Sequence, residues 1–265
     1  MDAESRAAAA DLLLDAYQTR KPVDPLIELY PGIELDDSYE IQLLQIARRL
    51  SAGATVKGHK VGLTSAAMQR QMGVDQPDYG HLLSDMFWLE HQPIPADAFL
   101  QPRVEPEVAF VLKRSLQGPG VTIAEAAAAV DFVLPSLELI DSRIRDWKIG
   151  ILDTIADNAS SGGVVLGSTP VGLGDVDLRR SGCVLHRNGE VVGTGAGGAV
   201  LGSPLNSLVW LANTVGARGI VLEAGHVVLP GSITASVAVE PGDNFTATFA
   251  GIGSVTARFA KEGSR

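Results

Sequence analysis

The sequence predicts an α+β protein, a helical N-terminal segment over residues 1–55 packed on a β-rich core over residues 56–265. Three observations carry that reading. The first fifty residues hold two helix-like stretches, and strand-like runs broken by Gly and Pro dominate from residue 100 onward. The two kinds of element do not alternate in the βαβ rhythm of a doubly wound sheet.

In chain order, residues 3–20 are rich in Ala and Leu, which are strong helix formers, and Pro22 and Pro25 close that segment. A second helix is expected from Asp37 to Leu50. There Asp37-x-x-Glu40 offers a capping box, Tyr39, Leu43, Leu44 and Ala47 form one stripe, and Gly53 ends it. Val56–Val61 reads as a strand, followed by a short helix capped by Thr64 and stopping near Gly73. Thr122-x-x-Glu125 is another capping box. Ser203-Pro204 supplies an N-cap and a first-turn proline for a helix ending at Gly216. Asn188-Gly189, between Val184–His186 and Glu190–Val192, is a hairpin signal. Pro230-Gly231, Pro241-Gly-Asp243 and Gly251-Ile-Gly253 then punctuate a final set of strands.

An apolar fraction of 46% and a charged fraction of 20% are those of an ordinary globular protein, so disorder is expected only at the termini. The net charge of −10, without a basic cluster, argues against a nucleic-acid partner. No apolar stretch approaches the roughly 20 residues of a membrane span. Cys183 is the only cysteine, which excludes an intrachain disulfide, and the N-terminal residues carry acids rather than an apolar signal-like run. A soluble cytoplasmic protein is the expectation.

Two glutamates, Glu105 and Glu107, sit in Arg103–Leu112, a run that otherwise reads as a buried strand. Side chains at i and i+2 on a strand share a face, so both carboxylates enter one volume. Glu138 interrupts a second apolar run, Phe132–Ile140. Two such charges without a counter-ion are unfavourable, and a hard divalent cation resolves the conflict. Three carboxylates suit Mg²⁺ or Mn²⁺ better than zinc, which recruits His or Cys. The spacing alone is equally compatible with two glutamates on the solvated face of an exposed strand.

Other motifs point to no further chemistry, and the glycine-rich run at 193–198 reads as a flexible loop near a ligand rather than a dinucleotide site. Gly193-Thr-Gly195-Ala-Gly-Gly198 matches G-x-G-x-x-G literally, but its preceding strand belongs to a hairpin and no helix opens before Ser203. The histidines at 59, 81, 91, 186 and 226 have no metal-ligand spacing, and Cys183 in an apolar strand reads as packing.

Three segments together resemble a known family. They are Gly58-His-Lys60-Val-Gly-Leu-Thr64 with Gly73-Val-Asp-Gln-Pro-Asp78-Tyr-Gly80, then Gln101-Pro-Arg-Val-Glu105-Pro-Glu107, and Glu138-Leu-Ile-Asp-Ser-Arg143 running on through Trp147 to Asp153–Ser161. The combination resembles the 2-hydroxypenta-2,4-dienoate hydratases (2-keto-4-pentenoate hydratases) of meta-cleavage catabolism, in the fumarylacetoacetate hydrolase-like superfamily. The resemblance spans nearly the whole chain. It implies a mixed β-roll core, a homo-oligomer, and Mg²⁺ or Mn²⁺ held by Glu105, Glu107 and Glu138. It also implies a catalytic Lys60 and an acidic partner, Asp78.

The implied reaction adds water to 2-hydroxypenta-2,4-dienoate, or a substituted analogue, to give a 4-hydroxy-2-oxoalkanoate. A lysine near a cation and apolar walls is expected to have a depressed pKa. Ser160 and Ser161 are candidates to bind the substrate carboxylate, or simply to cap a loop. Asp141, Arg143, Asp153 and Asp157 are candidates for a network around Glu138, or for structural ion pairs.

The alternative is 4-oxalocrotonate (2-oxo-3-hexenedioate) decarboxylation. The stretches from Arg143 to Lys148 and from Gln76 to Tyr79 look more like the hydratases, whereas Gly231-Ser-Ile-Thr-Ala235 is nearer the decarboxylases. An acylpyruvate hydrolase would want a His–Glu pair, for which only His59 is at hand, and that residue faces away from Lys60. A catalytically silent scaffold would not need Lys60 and Asp78. The expected partner is a small-molecule dienoate, with association to a downstream aldolase or to the sister enzyme open.

Overall fold

The computed structural model describes residues 1–261, except for the side chains of residues 71 and 72. Helix α1 (Ala3–Thr19) starts at Asp2, whose carboxylate accepts the Ser5 N–H, and ends on a left-handed Arg20. A one-turn helix, α2 (Leu26–Leu29), follows Pro25 and was not foreseen. It is pinned from far along the chain, since Leu26 N–H donates to Asp153 Oδ1 at 2.7 Å. Helix α3 (Leu35–Ser51) begins earlier than expected. Asp37 is not its N-cap but sits inside the first turn, accepting the Glu34 N–H at 3.0 Å and pairing with the Met1 ammonium and Arg6.

The strands are β1 (Val56–Gly62), β2 (Asp78–Leu83), β3 (Phe87–Trp88), β4 (Arg103–Leu112), β5 (Val130–Ile140) and β6 (Ser161–Leu166). After them come β7 (Gly182–Arg187), β8 (Glu190–Ala196), β9 (Val227–Leu229), β10 (Val237–Ala238), β11 (Asn244–Phe249) and β12 (Gly253–Arg258). The remaining helices are α4 (Ala66–Met72), α5 (Ile123–Ala129), α6 (Ile151–Ala156) and α7 (Pro204–Gly216). Ser65, not Thr64, caps α4, its hydroxyl accepting the Met68 N–H, and a left-handed Gly73 ends it. The capping box at Thr122 and Glu125, the Pro204 start of α7 and the Asn188-Gly189 hairpin turn all form as expected.

Eight strands make one mixed sheet in the order β2-β1-β9-β4-β5-β6-β3, with β10 added against β4. Pairs β1–β9 and β3–β6 are parallel and the rest antiparallel. A second antiparallel sheet, β12-β11-β7-β8, packs through β11 and β12 on β5. Between the sheets lies the main core, where Val108, Phe110, Leu137 and Leu139 meet Leu185, Phe245, Ala247 and Val255. Each Val, Leu or Phe among them contributes about 1.5–3 kcal/mol when fully buried.

Covered on both faces, β5 shows no hydrophobic alternation. The other face of the sheet closes over Leu82, Ala109, Leu134, Val164 and Leu229, joined by Ile46 of α3. A third cluster, including Leu13, Leu26, Ile41 and Ile144, ties the N-terminal helices to the segment after β5. The Gly193–Gly198 run ends β8 and enters a short turn, with α7 beginning only at Pro204, so it has no dinucleotide-binding context. No helix among the described residues is long and apolar enough to cross a membrane.

Candidate active site

Strand β4 presents Glu105 and Glu107 on one face, and its antiparallel register with β5 sets Glu138 directly across from Glu105. Glu107 pairs with Ser136, whose hydroxyl donates back to the Glu107 carbonyl at 2.9 Å. One carboxylate oxygen from each glutamate lies within 4.8 Å of the others. Glu107 and Glu138 are wholly buried. Glu107 Oε2 accepts the Gly231 N–H at 2.7 Å, while its Oε1 and both Glu138 oxygens lack a hydrogen-bond partner. Gly231 reaches this position with a left-handed φ of +125°, and a β-carbon there would fall 2.1 Å from Thr64 Oγ1.

Burial, then Glu138, then Glu105 push the Glu107 carboxyl well above its ordinary range. Burial and Glu138 raise Glu105 to about 7. Three acids sharing so dry a volume favour protonation unless positive charge joins them.

Part of that charge comes from β1. Lys60 Nζ lies 3.3 Å from Glu138 Oε1 and donates to the Ala159 carbonyl at 2.9 Å. Burial by itself lowers the lysine, but Glu138, Asp78, Glu105 and Glu107 outweigh it and the net direction is up. This reverses the expected depression: apolar walls count for less than the carboxylates surrounding the ammonium.

Asp78, the first residue of β2, is buried and raised by burial against the pull of Lys60. Thr154 Oγ1 donates to its Oδ2 at 3.3 Å, and its Oδ1 has no partner. Thr154 in turn contacts Ser160 Oγ at 3.3 Å, whereas Ser161 Oγ is buried with no partner. The two serines thus differ: Ser160 is engaged through Thr154 with Asp78, and Ser161 is uncommitted.

The link between α6 and β6 is unusual. Asn158, Ala159 and Ser160 have φ of 51°, 51° and 54°, a left-handed run that costs roughly 1–2 kcal/mol per L-residue. Hydrogen bonds offset that strain. Asn158 Oδ1 accepts the His81 N–H at 2.8 Å and its Nδ2 donates to the His81 carbonyl at 2.9 Å. Asp141 N–H donates to the Ser160 carbonyl at 2.8 Å. Arg143, wholly buried, donates through Nε to Asp157 Oδ1 at 2.5 Å and through its other nitrogens to the Asp157 and Ser161 carbonyls.

Of the four residues expected around Glu138, Arg143 and Asp157 form this clamp, and Asp141 binds the Leu100 and Gln101 N–H groups. Asp153 does not join them, because it holds Gly150 and Leu26.

His59 points away from this cluster, into a buried group with His81 at 4.7 Å and His226 at 6.1 Å between ring centroids. Neither of its ring nitrogens has a partner, and burial holds it neutral, well below the usual histidine range. Cys183 is buried in β7 and pushed up to about 12, which suits packing. Thr154, the Gly231 N–H and the Ala159 carbonyl join the site without a signal of their own in the sequence. Two of these act through backbone atoms, which carry no side-chain signal, and the third is an unremarkable hydroxyl in a short helix.

The profile of the fumarylacetoacetate (FAA) hydrolase C-terminal family matches residues 58–260. The 2-keto-4-pentenoate hydratase of Paraburkholderia xenovorans (strain LB400) is 47% identical over 259 residues, covering 98% of this chain and 96% of that protein. Among solved structures, 4-oxalocrotonate decarboxylase from Pseudomonas putida G7, complexed with magnesium and adipate, superposes with a TM-score of 0.93 at 39% identity, covering 98% of both chains. The same decarboxylase complexed with calcium and acetate gives a TM-score of 0.93 at 38% identity, again over 98% of both chains.

Proposed function

The chain belongs to the fumarylacetoacetate hydrolase family, and from that membership we propose a divalent-metal-dependent hydratase that converts 2-hydroxypenta-2,4-dienoate, or a substituted analogue, into a 4-hydroxy-2-oxoalkanoate in meta-cleavage catabolism. The observation that carries the reading is the meeting of three glutamates, two of them wholly buried, with a buried lysine and an aspartate that keeps one free oxygen. Residues 56–265 form the catalytic core in this reading, with residues 1–55 packed on it.

The donor set fits Mg²⁺ or Mn²⁺: three hard carboxylates with one oxygen each within 4.8 Å of the others, and among their oxygens Glu107 Oε1 and Glu138 Oε2 have no hydrogen-bond partner. Glu105, Glu107 and Glu138 would hold the ion. When bound, it supplies Lewis-acid charge that stabilises negative charge developing at the C2 oxygen of the substrate.

The remaining work falls to the side chains. The enol proton is lost and one is gained at C5, giving the α,β-unsaturated 2-oxo acid. Hydroxide from water then joins C4 and a proton joins C3, so the net change is one water. Lys60, held as an ammonium by the carboxylates, is the proton donor toward the substrate's far end, and Asp78 Oδ1 exchanges the proton of the incoming water. Thr154 fixes the other Asp78 oxygen and so orients the free one. Ser161 Oγ, which has no partner, is the donor toward the substrate carboxylate, while Ser160 beside it gives its hydroxyl proton to Thr154.

Purified protein with Mg²⁺ or Mn²⁺ and freshly generated 2-hydroxypenta-2,4-dienoate tests this. Loss of the dienol absorbance with a product one water heavier, abolished by EDTA, is the expected result. The decarboxylase reading rests on the 4-oxalocrotonate decarboxylase structures. No turnover of the dienoate, but CO₂ release from 2-oxohex-3-enedioate, would establish that reading instead.

A further inference from the structure

Asn158–Ser160 is the one place among the described residues where three successive non-glycine residues adopt left-handed backbone. Strain of this kind persists only where the surroundings over-determine it. The conformation of Ala159 and Ser160 sets the plane of the peptide between them, and that peptide carries the carbonyl accepting Lys60 Nζ at 2.9 Å. No side chain at position 159 could substitute for it, because the contact is made by backbone.

The outer two residues secure the turn on either side. Asn158 pairs both ways with the backbone of His81, filling hydrogen-bonding positions on β2, the edge strand of the large sheet. Ser160 reaches Thr154 and, through it, Asp78. One strained turn therefore touches both groups assigned to proton transfer.

We propose that Asn158 is a positioning residue for the reaction: its side chain docks the left-handed turn on β2 and so holds the Ala159 carbonyl where it fixes the Lys60 ammonium. The inference rests on the acid–base role of Lys60 proposed above. A displaced carbonyl frees the lysine to turn toward Glu138 alone, which misplaces the proton without removing it. Small misplacements of a reacting group lower rate far more than affinity.

The test compares Asn158→Ala, Ala159→Gly and Lys60→Ala with the full-length protein, measuring kcat, KM, Mg²⁺ affinity by calorimetry, and Tm. Ala159→Gly keeps every side-chain bond, and glycine accepts this φ freely, so it folds even where Asn158→Ala does not. Expected are a kcat at least tenfold lower for Asn158→Ala per folded molecule and a kcat within twofold of wild type for Ala159→Gly, in which the Asn158 side chain still docks the turn. KM and Mg²⁺ affinity should stay within threefold, and the Tm of Ala159→Gly should be kept or raised. A purely structural role gives unchanged kcat per folded molecule, and that result in Asn158→Ala, or in Asn158→Asp where the alanine variant does not fold, overturns the proposal. Undiminished turnover in Lys60→Ala is a different failure, one that removes the premise about the lysine and the inference with it.

Discussion

Glu107 shows how a single residue can be in conflict with its surroundings: a wholly buried carboxylate with one oxygen on the Gly231 N–H and the other unpartnered. Such a group is unfavourable by itself and favourable around a cation. Glu107→Gln keeps the shape and removes the charge, so the fold should survive while Mg²⁺ affinity and turnover fall together, affinity by at least roughly tenfold. Calorimetry alongside the absorbance assay decides it, and full activity with stoichiometric metal would sink the ligand assignment. Lys60→Ala should behave in the opposite way. Metal binding persists or strengthens, because a competing cation has gone, while kcat drops by roughly 10²–10⁴ as expected for a lost acid–base group.

Among the elements, the β4–β5 pair and the α6–β6 link decide the site. The first brings Glu138 opposite Glu105, and the second brings a backbone carbonyl to Lys60. Strand β2 meets that link at Gly80. A β-carbon there would sit 2.3 Å from the Asn158 carbonyl oxygen and 2.8 Å from Ser161 Oγ. The first of these is backbone and cannot swing aside, so the turn itself must shift. Gly80→Ala is therefore expected to lose about 1–3 kcal/mol of stability, as overpacked sites do, and to lower turnover at least tenfold. Urea unfolding with kinetics on the folded fraction checks both. Wild-type turnover would mean that the link tolerates displacement.

Over the whole molecule, the N-terminal helices and the sheet are joined by buried polar groups as well as by apolar packing. Gln42 of α3 donates to the Tyr79 and Ile155 carbonyls, which leaves its Oε1 to accept from His81 Nδ1–H at 3.1 Å. Burial depresses His81 to about 4, so it is neutral in the fold at pH 7. An unfolded chain takes up that proton near pH 6.5 and the folded one does not, so the stability His81 contributes is present above 6.5 and lost as pH falls toward 4. The loss is on the order of 3 kcal/mol. The buried carboxylates, raised rather than lowered, work in the opposite direction over the same range. Comparing unfolding free energies of wild type and His81→Gln at pH 7 and pH 4 cancels their share. Wild type should lose more by about that amount, and equal losses would show that His81 does not titrate with unfolding.

Residue order alone determined the α+β class, most helix ends, the hairpin at Asn188-Gly189 and the family, because caps, turns and motif spacing are local and survive without knowledge of what packs on what. It also put Glu105 and Glu107 on one strand face, a consequence of the two-residue period. Tertiary structure decided the rest. Glu138 stands opposite Glu105 only through the register of two strands whose central positions lie about thirty residues apart in sequence. Whether Lys60 sits high or low in its titration depends on how many carboxylates the fold gathers around it. The start of α3 lies at Glu34 because the Asp37 carboxylate turns back to the Glu34 N–H in a capping box, where the distant Met1 ammonium and Arg6 also hold it. The carbonyl that meets Lys60 exists in every residue of the chain, and only the left-handed turn selects the one at Ala159.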